Sequence, residues 1–81
     1  MNLKILDYVS VDAGKYKGRA GCIQGIYRNS HNGVLYATIQ SPEKDYNFFA
    51  PQQASICFDV RLERLSPTII DGHTRASDIL S

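Results

Sequence analysis

The most informative absence from this chain of 81 residues is that of any long apolar run. A membrane-spanning helix needs about 18 or more consecutive apolar residues, and no stretch of the sequence approaches that length. The N-terminal residues Met1 to Asp7 also lack an apolar segment of signal-peptide length. We therefore expect a cytoplasmic protein that does not associate with a membrane.

Sequence motifs for metal binding and catalysis are also absent. The two cysteines, Cys22 and Cys57, stand in apolar, strand-like stretches without Cys-x-x-Cys spacing or a histidine close by, so we expect no metal and no cofactor. We expect free thiols, buried or half-buried, and a disulfide is the less favoured alternative. His31 and His73 have no neighbouring nucleophile or base pattern, and the sequence has no phosphate-binding glycine motif. The chain is therefore not expected to be an enzyme.

Net charge is low as well, at +1, which by itself argues against a dedicated nucleic-acid binder. The charges are unevenly distributed, however. Between Ala13 and Pro42 the chain contains four cations and no Asp or Glu, and every acidic residue precedes or follows that segment. A nearly neutral molecule with one basic end is the expected result.

What the chain does contain is typical of one small globular domain. Hydrophobic residues make up 43% of it and charged residues 21%. A chain of this size buries only about 60% of the surface that it exposes when unfolded, so the core must be small. We assign residues 1–67 to the domain and 68–81 to a tail. The tail either adds a short strand at Ile69-Ile70 and a helical turn begun by Thr74, or it frays.

Two strands are predicted on either side of a basic, glycine-rich loop. Residues 3–11 alternate over their second half, and residues 22–28 form the next strand. The loop between them, Gly14 to Gly21, has three glycines and three cations within eight residues. If the protein binds a ligand, this loop is the first place to expect contact.

The second predicted strand breaks the period of two. Its apolar residues Ile23 and Ile26 are three positions apart, and Gly25 lies between them. A glycine within a strand tolerates a bulge or sharp bend, which would return both isoleucines to one core. The dipeptide Asn32-Gly33 then favours a type I′ hairpin turn, so the third strand, residues 34–40, should be antiparallel to the second. Either face of this third strand could point inward.

The clearest alternation in the chain lies between Ile56 and Glu63, which we predict to be a strand. Its inward set is Ile56, Phe58, Val60 and Leu62, and its outward set is Asp59, Arg61 and Glu63. Residues 42–54 follow neither period and are predicted to form a long loop with a fragment of strand near Phe48. Short strands, hairpin connections and a bent second strand predict an all-β fold, a small antiparallel barrel.

The run from Asp7 to Tyr27 resembles a KOW motif, as found in one of the ribosomal proteins and in the C-terminal domain of the transcription factor NusG. The family pattern is an alternating strand, then Gly-Lys-x-Lys-Gly-Lys/Arg-x-Gly, then a hydrophobic pair three positions apart. Gly18 matches its central glycine, and Gly21 matches the start of its second strand. The resemblance implies an SH3-like antiparallel barrel of about five strands and a role in translation or transcription.

The expected nucleic-acid-binding residues lie in and near the basic loop. They are Lys15, Tyr16, Lys17, Gly18, Arg19 and Arg28. The cations would contact phosphates, Gly18 would let the backbone approach closely, and Tyr16 would stack on a base. RNA is the expected ligand, with DNA as the second choice. The alternative is that the glycines only form the turn and the lysines are solvated.

A protein partner is the competing interpretation. Tyr46, Phe48 and Phe49 lie within four residues of one another and close to Pro51, which is typical of an aromatic surface that binds an extended peptide. The partner would also contact the outer face of residues 56–65. The alternative role for Phe48 and Phe49 is to close one end of the barrel.

Overall fold

The computed structural model describes residues 3–42, 55–70 and 72–76. They form a single antiparallel sheet with the strand order β4-β3-β2-β1-β5. The strands are β1 (Tyr8–Val11), β2 (Ala20–Arg28), β3 (Leu35–Pro42), β4 (Ser55–Arg61) and β5 (Leu65–Pro67). A short 3₁₀ turn, Leu62–Arg64, joins β4 to β5. The predicted fold class is confirmed, because five antiparallel strands form one small, barrel-like domain, and the described residues contain no helix besides this turn.

The predicted bend in β2 is present. The pairing of β2 with β3 shifts between Ile23 and Gly25, which leaves Gln24 as the extra residue of a bulge. Ile23 is fully buried, and Ile26 packs against the same core. The bulge therefore lets both isoleucines serve one core although they are three positions apart.

The hairpin between β2 and β3 is antiparallel, as predicted, but its turn is not type I′. A type I′ turn needs positive φ at two successive residues, whereas Gly33 has a φ of 70° and Asn32 does not have a positive φ. The amide of Gly33 donates to the carbonyl of Asn29 at 2.8 Å. Both asparagine side chains accept a hydrogen bond from the backbone two residues on, from His31 and Val34. These local bonds stabilise a longer loop in which only the glycine needs the left-handed region.

The core lies on the inner side of the sheet. Its buried members are Val9, Val11, Ile23, Ala37, Ile39, Phe58, Val60 and Leu65. The alternation predicted for β4 is confirmed, because Phe58 and Val60 are buried while Asp59 is exposed. For β3, where the sequence left both faces open, Ala37 and Ile39 point inward. Tyr36 and its outward neighbours are thereby left on the solvent side.

The tail returns to the N-terminal end of β1. The amide of Tyr8 donates to the carbonyl of Thr74 at 2.9 Å, and the amide of Ala76 donates to that of Leu6 at 2.9 Å. Nε of Arg75 lies 2.8 Å from a carboxylate oxygen of Asp7, as an electrostatic contact rather than an aligned hydrogen bond. Residues 72–76 are therefore held against the N-terminal segment.

The predicted elements of the tail differ from what is seen. Ile70 forms a tight turn with His73, in which each amide donates to the other residue's carbonyl, and not a strand. Thr74 lies in a bend, and residues 72–76 contain no helix. The remainder of the predicted helical turn lies outside the described residues, as does the predicted loop segment with Tyr46, Phe48 and Phe49.

Both cysteines have free thiols, as predicted. Cys22 is buried, and burial is the main cause that raises the pKa of its thiol, followed by the charge of Asp7. Cys57 is exposed rather than buried. It lies on the outward side of β4, in the alternate set to Phe58.

Candidate nucleic-acid interface

The basic loop is held at its base by β1. The amide of Val11 donates to the carbonyl of Arg19 at 2.8 Å, and the carbonyl of Val11 accepts from the amide of Gly18 at 2.9 Å. A further hydrogen bond of 3.1 Å runs from the amide of Arg19 to the carbonyl of Tyr16. Gly18 has a φ of 91°, which suits the third position of such a turn. The amide of Lys17 also donates to the carbonyl of Gly14 at 3.2 Å, so the loop consists of two adjacent turns that each carry cations.

Gly14 makes room for an arginine from another part of the chain. A side-chain carbon at Gly14 would lie 2.6 Å from a terminal guanidinium nitrogen of Arg64. The backbones also meet, because the amide of Asp12 donates to the carbonyl of Arg64 at 2.7 Å. The 3₁₀ turn therefore places Arg64 next to the basic loop.

Tyr16 has a structural role that the sequence did not show. Its ring stacks on Phe58 with centroids 4.0 Å apart and planes inclined by 13°. Nζ of Lys15 lies over the same ring, 5.5 Å from its centroid. One face of Tyr16 is therefore packed at the edge of the core, and the ring anchors the loop to β4.

Lys15 meets Arg61 and Arg64 around one cleft of about 290 Å³. We call it the basic cleft, and the remaining residues that line it are Ala13, Tyr16, Tyr36, Asp59 and Val60. Arg61 ends β4 and directly precedes the 3₁₀ turn, and Arg64 ends the turn. Both line the cleft, so the two guanidinium groups lie on the same side of the domain.

The charge around the basic cleft is positive. Three of its lining residues are cationic, and Asp59 is the one carboxylate among them. Asp59 is engaged within the sheet, where it accepts a hydrogen bond of 2.8 Å from the hydroxyl of Thr38. Glu63 lies just outside the cleft, 3.5 Å from Arg61 in an exposed ion pair, which contributes little. The cleft can therefore attract an anion.

Two tyrosines at or near the cleft have shifted pKa values. Hydrogen bonds from Asn32 and then Arg61 lower the pKa of Tyr36. The pKa of Arg61 is raised by the same contact with Tyr36. Partial desolvation and a hydrogen bond to Asp59 raise the pKa of Tyr27. The rings of Tyr27 and Tyr36 are stacked, with centroids 5.8 Å apart and planes inclined by 16°.

The other residues predicted from the sequence are divided between two places. Lys17 and Gly18 are exposed in the loop, and Arg19 is half-buried at its end. Arg28 is elsewhere, since it donates to the carbonyl of Gly33 and closes the β2–β3 hairpin. It lines a second cleft, of about 450 Å³.

This second cleft, which we call the apolar cleft, lies between the β2–β3 hairpin and the 3₁₀ turn. Besides Arg28 its lining residues are Leu3, Val34, Leu35, Leu62, Glu63 and Leu65. Leu35 is 38% exposed, which is high for a leucine in so small a domain. The structure thus separates a basic surface from an apolar one.

Sequence reasoning missed Arg61 and Arg64 as members of the site. The only signal was their spacing of three in Arg-x-x-Arg, directly after a strand. Without the pairing of β5 with β1, nothing in the sequence placed them beside the loop of Lys15.

Within residues 3–42, 55–70 and 72–76, no group of three or more His, Cys, Asp or Glu side chains could hold a metal ion. The same part of the chain contains no helix with the length and apolar character that crossing a membrane requires. The resemblance of residues 7–27 to a KOW motif stays a prediction. Searches against family models, curated proteins and solved structures found no match to this chain.

Proposed function

We propose that this protein is a small, non-enzymatic module that binds RNA, in a translation or transcription setting, through the loop Gly14–Gly21 together with Arg61 and Arg64. One observation carries the proposal. Lys15 comes from the loop between β1 and β2, Arg61 ends β4, Arg64 ends the turn before β5, and all three line the basic cleft. Three cations from distant segments, with one carboxylate that is already hydrogen-bonded, suit a phosphate.

The chemistry of the three cations fits this ligand. A guanidinium group can donate two parallel hydrogen bonds to a phosphate, and a lysine adds a mobile point charge. Lys17 is exposed on the same loop, in position to contact a neighbouring phosphate. Each neutralised phosphate releases counterions, which makes such binding strongly dependent on salt.

Salt dependence is the first test. For a single strand the logarithm of the affinity falls with the logarithm of the salt concentration with a slope of about −0.7 for each phosphate contacted. Three contacts give a slope of about −2, or a loss of roughly 20-fold between about 50 and about 200 mM salt. Fluorescence anisotropy with a labelled ribo-oligonucleotide measures this slope. An affinity that does not change with salt concentration would contradict the proposal.

Variants locate the contact. Replacing Lys15, Arg61 and Arg64 together by glutamine should remove most of the slope, leaving about −0.7 for a contact by Lys17, and should lower the affinity at low salt. Arg28→Gln is the matched control, because it also removes one exposed cation but lines the apolar cleft. If Arg28→Gln weakens binding as much as the triple variant does, the basic cleft is not the site.

A module that binds a protein partner is the second candidate, and the apolar cleft is the observation that favours it. Its volume of about 450 Å³ and its leucines, Leu35 and Leu62 among them, suit an apolar side chain of a partner. A pull-down before and after nuclease treatment separates the two functions. A partner that is retained after nuclease and lost in Leu35→Ser supports the protein module.

A further inference from the structure

Two tyrosines stack on each other on the solvent side of the sheet. Tyr27 of β2 and Tyr36 of β3 are direct partners in the strand register. Their rings are almost parallel, with centroids 5.8 Å apart. The ring of Tyr27 is among the large apolar groups that the structure leaves exposed, at 40%. We call these two residues the tyrosine pair.

Both hydroxyl groups of the tyrosine pair are held by neighbouring strands and turns. The hydroxyl of Tyr36 accepts from the side-chain amide of Asn32 at 3.5 Å and interacts with the guanidinium group of Arg61. The hydroxyl of Tyr27 interacts with the carboxylate of Asp59. Rings tethered in this way lose little conformational freedom when a flat ligand stacks on them.

The tyrosine pair is continuous with the basic cleft. Tyr36 lines that cleft and is opposite Arg61 in the β3–β4 register. The tyrosine pair therefore lies directly beside a cluster of cations. A single-stranded nucleic acid offers the matching chemistry in each of its units, a flat base next to a phosphate.

We propose that the tyrosine pair is a stacking platform for unpaired bases, with the strand's phosphates in the basic cleft. The inference rests on the proposed function and deepens it, because it commits the ligand to a single strand. A duplex keeps its bases stacked and paired, so it cannot use such a platform. The inference also assigns base stacking to Tyr27 and Tyr36, in place of Tyr16, whose ring is packed on Phe58.

The test compares binding of labelled oligouridine, the deoxy strand of the same length and a duplex of that length. Tyr27→Leu should weaken binding of the single strands by at least about fivefold, the lower end of what a stacked base contributes. It should leave the salt slope unchanged, since no charge is removed. Tyr27→Phe is the matched control and should bind nearly as the wild type does, because it keeps the ring. The duplex should bind more weakly than the single strands.

A tryptophan at this position gives a direct signal, because the chain contains no Trp. In Tyr27→Trp we expect oligouridine to quench the indole fluorescence and an abasic strand with the same number of phosphates to leave it unchanged. The deoxy strand tells whether the platform requires a ribose, and quenching with either sugar supports it. If Tyr27→Leu does not fold, the fluorescence of Tyr27→Trp still tests the platform, because tryptophan keeps an aromatic ring at this position.

The inference and the proposed function fail in different ways. If salt-dependent binding to the cations persists while Tyr27→Leu binds as the wild type does, or while the abasic strand quenches equally, the platform is refuted and the proposed function stands. If no oligonucleotide binds even at low salt, both are refuted. Duplex binding equal to that of the single strands also overturns the platform alone.

Discussion

Replacing Gly21 by alanine should destabilise the protein because there is no space for the added methyl group. The backbone angle is not the cause, since Gly21 does not have a left-handed φ. Gly21 is buried in β2, between β1 and β3. A side-chain carbon there would lie 2.5 Å from the carbonyl oxygen of Gln40 and 2.6 Å from Cγ2 of Ile39. Ordinary contacts between such atoms begin at about 3.5 Å, so the overlap is about 1 Å. The oxygen belongs to a paired strand and cannot rotate away, so β2 and β3 must separate.

The magnitude follows from the cost of overpacking, which is about 1–3 kcal/mol. A domain of this size has a free energy of unfolding of roughly 4–12 kcal/mol, so the loss is a large share of the total. Gly25 is the matched control in the same strand. It has no atom within 4 Å of an added carbon and no left-handed φ, so Gly25→Ala should change the free energy of unfolding by less than about 0.5 kcal/mol.

Urea unfolding followed by circular dichroism measures both variants. With a denaturant slope of about 1 kcal/mol per molar, Gly21→Ala should lower the midpoint by about 1 M or more relative to Gly25→Ala. Gly18→Ala should fall between them at about 1 kcal/mol, because its φ of 91° is strained for alanine while its surroundings are open. Equal stability of the Gly21 and Gly25 variants would refute the close approach of β2 to β3.

Two further predictions concern side chains with perturbed pKa values. In the native protein Cys57 should react with a thiol reagent at once, whereas Cys22, which is buried and has a raised pKa, should react only as the protein unfolds. A fast reaction of both thiols would contradict the burial of Cys22. In an ultraviolet titration Tyr36 should ionise at lower pH than Tyr27. The absorbance change that is lost in Tyr36→Phe should therefore lie at lower pH than the change that is lost in Tyr27→Phe. Because the fold favours the tyrosinate of Tyr36, its contribution to stability is absent well below its folded pKa and complete above about pH 10.

The fold was largely predictable because its signals are local. In β4 the alternation of apolar residues assigns each side chain to a face, and in β2 the spacing of Ile23 and Ile26 around Gly25 indicates a bulge. These patterns depend on covalent geometry and a single buried face. The hairpin at Asn32-Gly33 was predicted in direction but not in type, since the turn is decided by which asparagine side chains bond to the backbone.

The candidate site was predictable only in part because it is assembled over long sequence distances. The cations of the loop are evident in the sequence, but Arg64 reaches Gly14 through the pairing of β5 with β1. Likewise, the sequence predicts a free ring at Tyr16, whereas in the structure this ring stacks on Phe58. No local pattern in the sequence predicts contacts of this kind, since they depend on how distant strands pair in the sheet.

The 3₁₀ turn between β4 and β5 also has a consequence for how this domain can diversify. Its three residues, Leu62–Arg64, connect two edge strands and at the same time fix the distance and direction between Arg61 and Arg64. An insertion of one residue would leave both strands free to pair but rotate one guanidinium group away from the other. Changes in the length of this connection can therefore alter the arrangement of cations in the basic cleft while the core of the domain is retained.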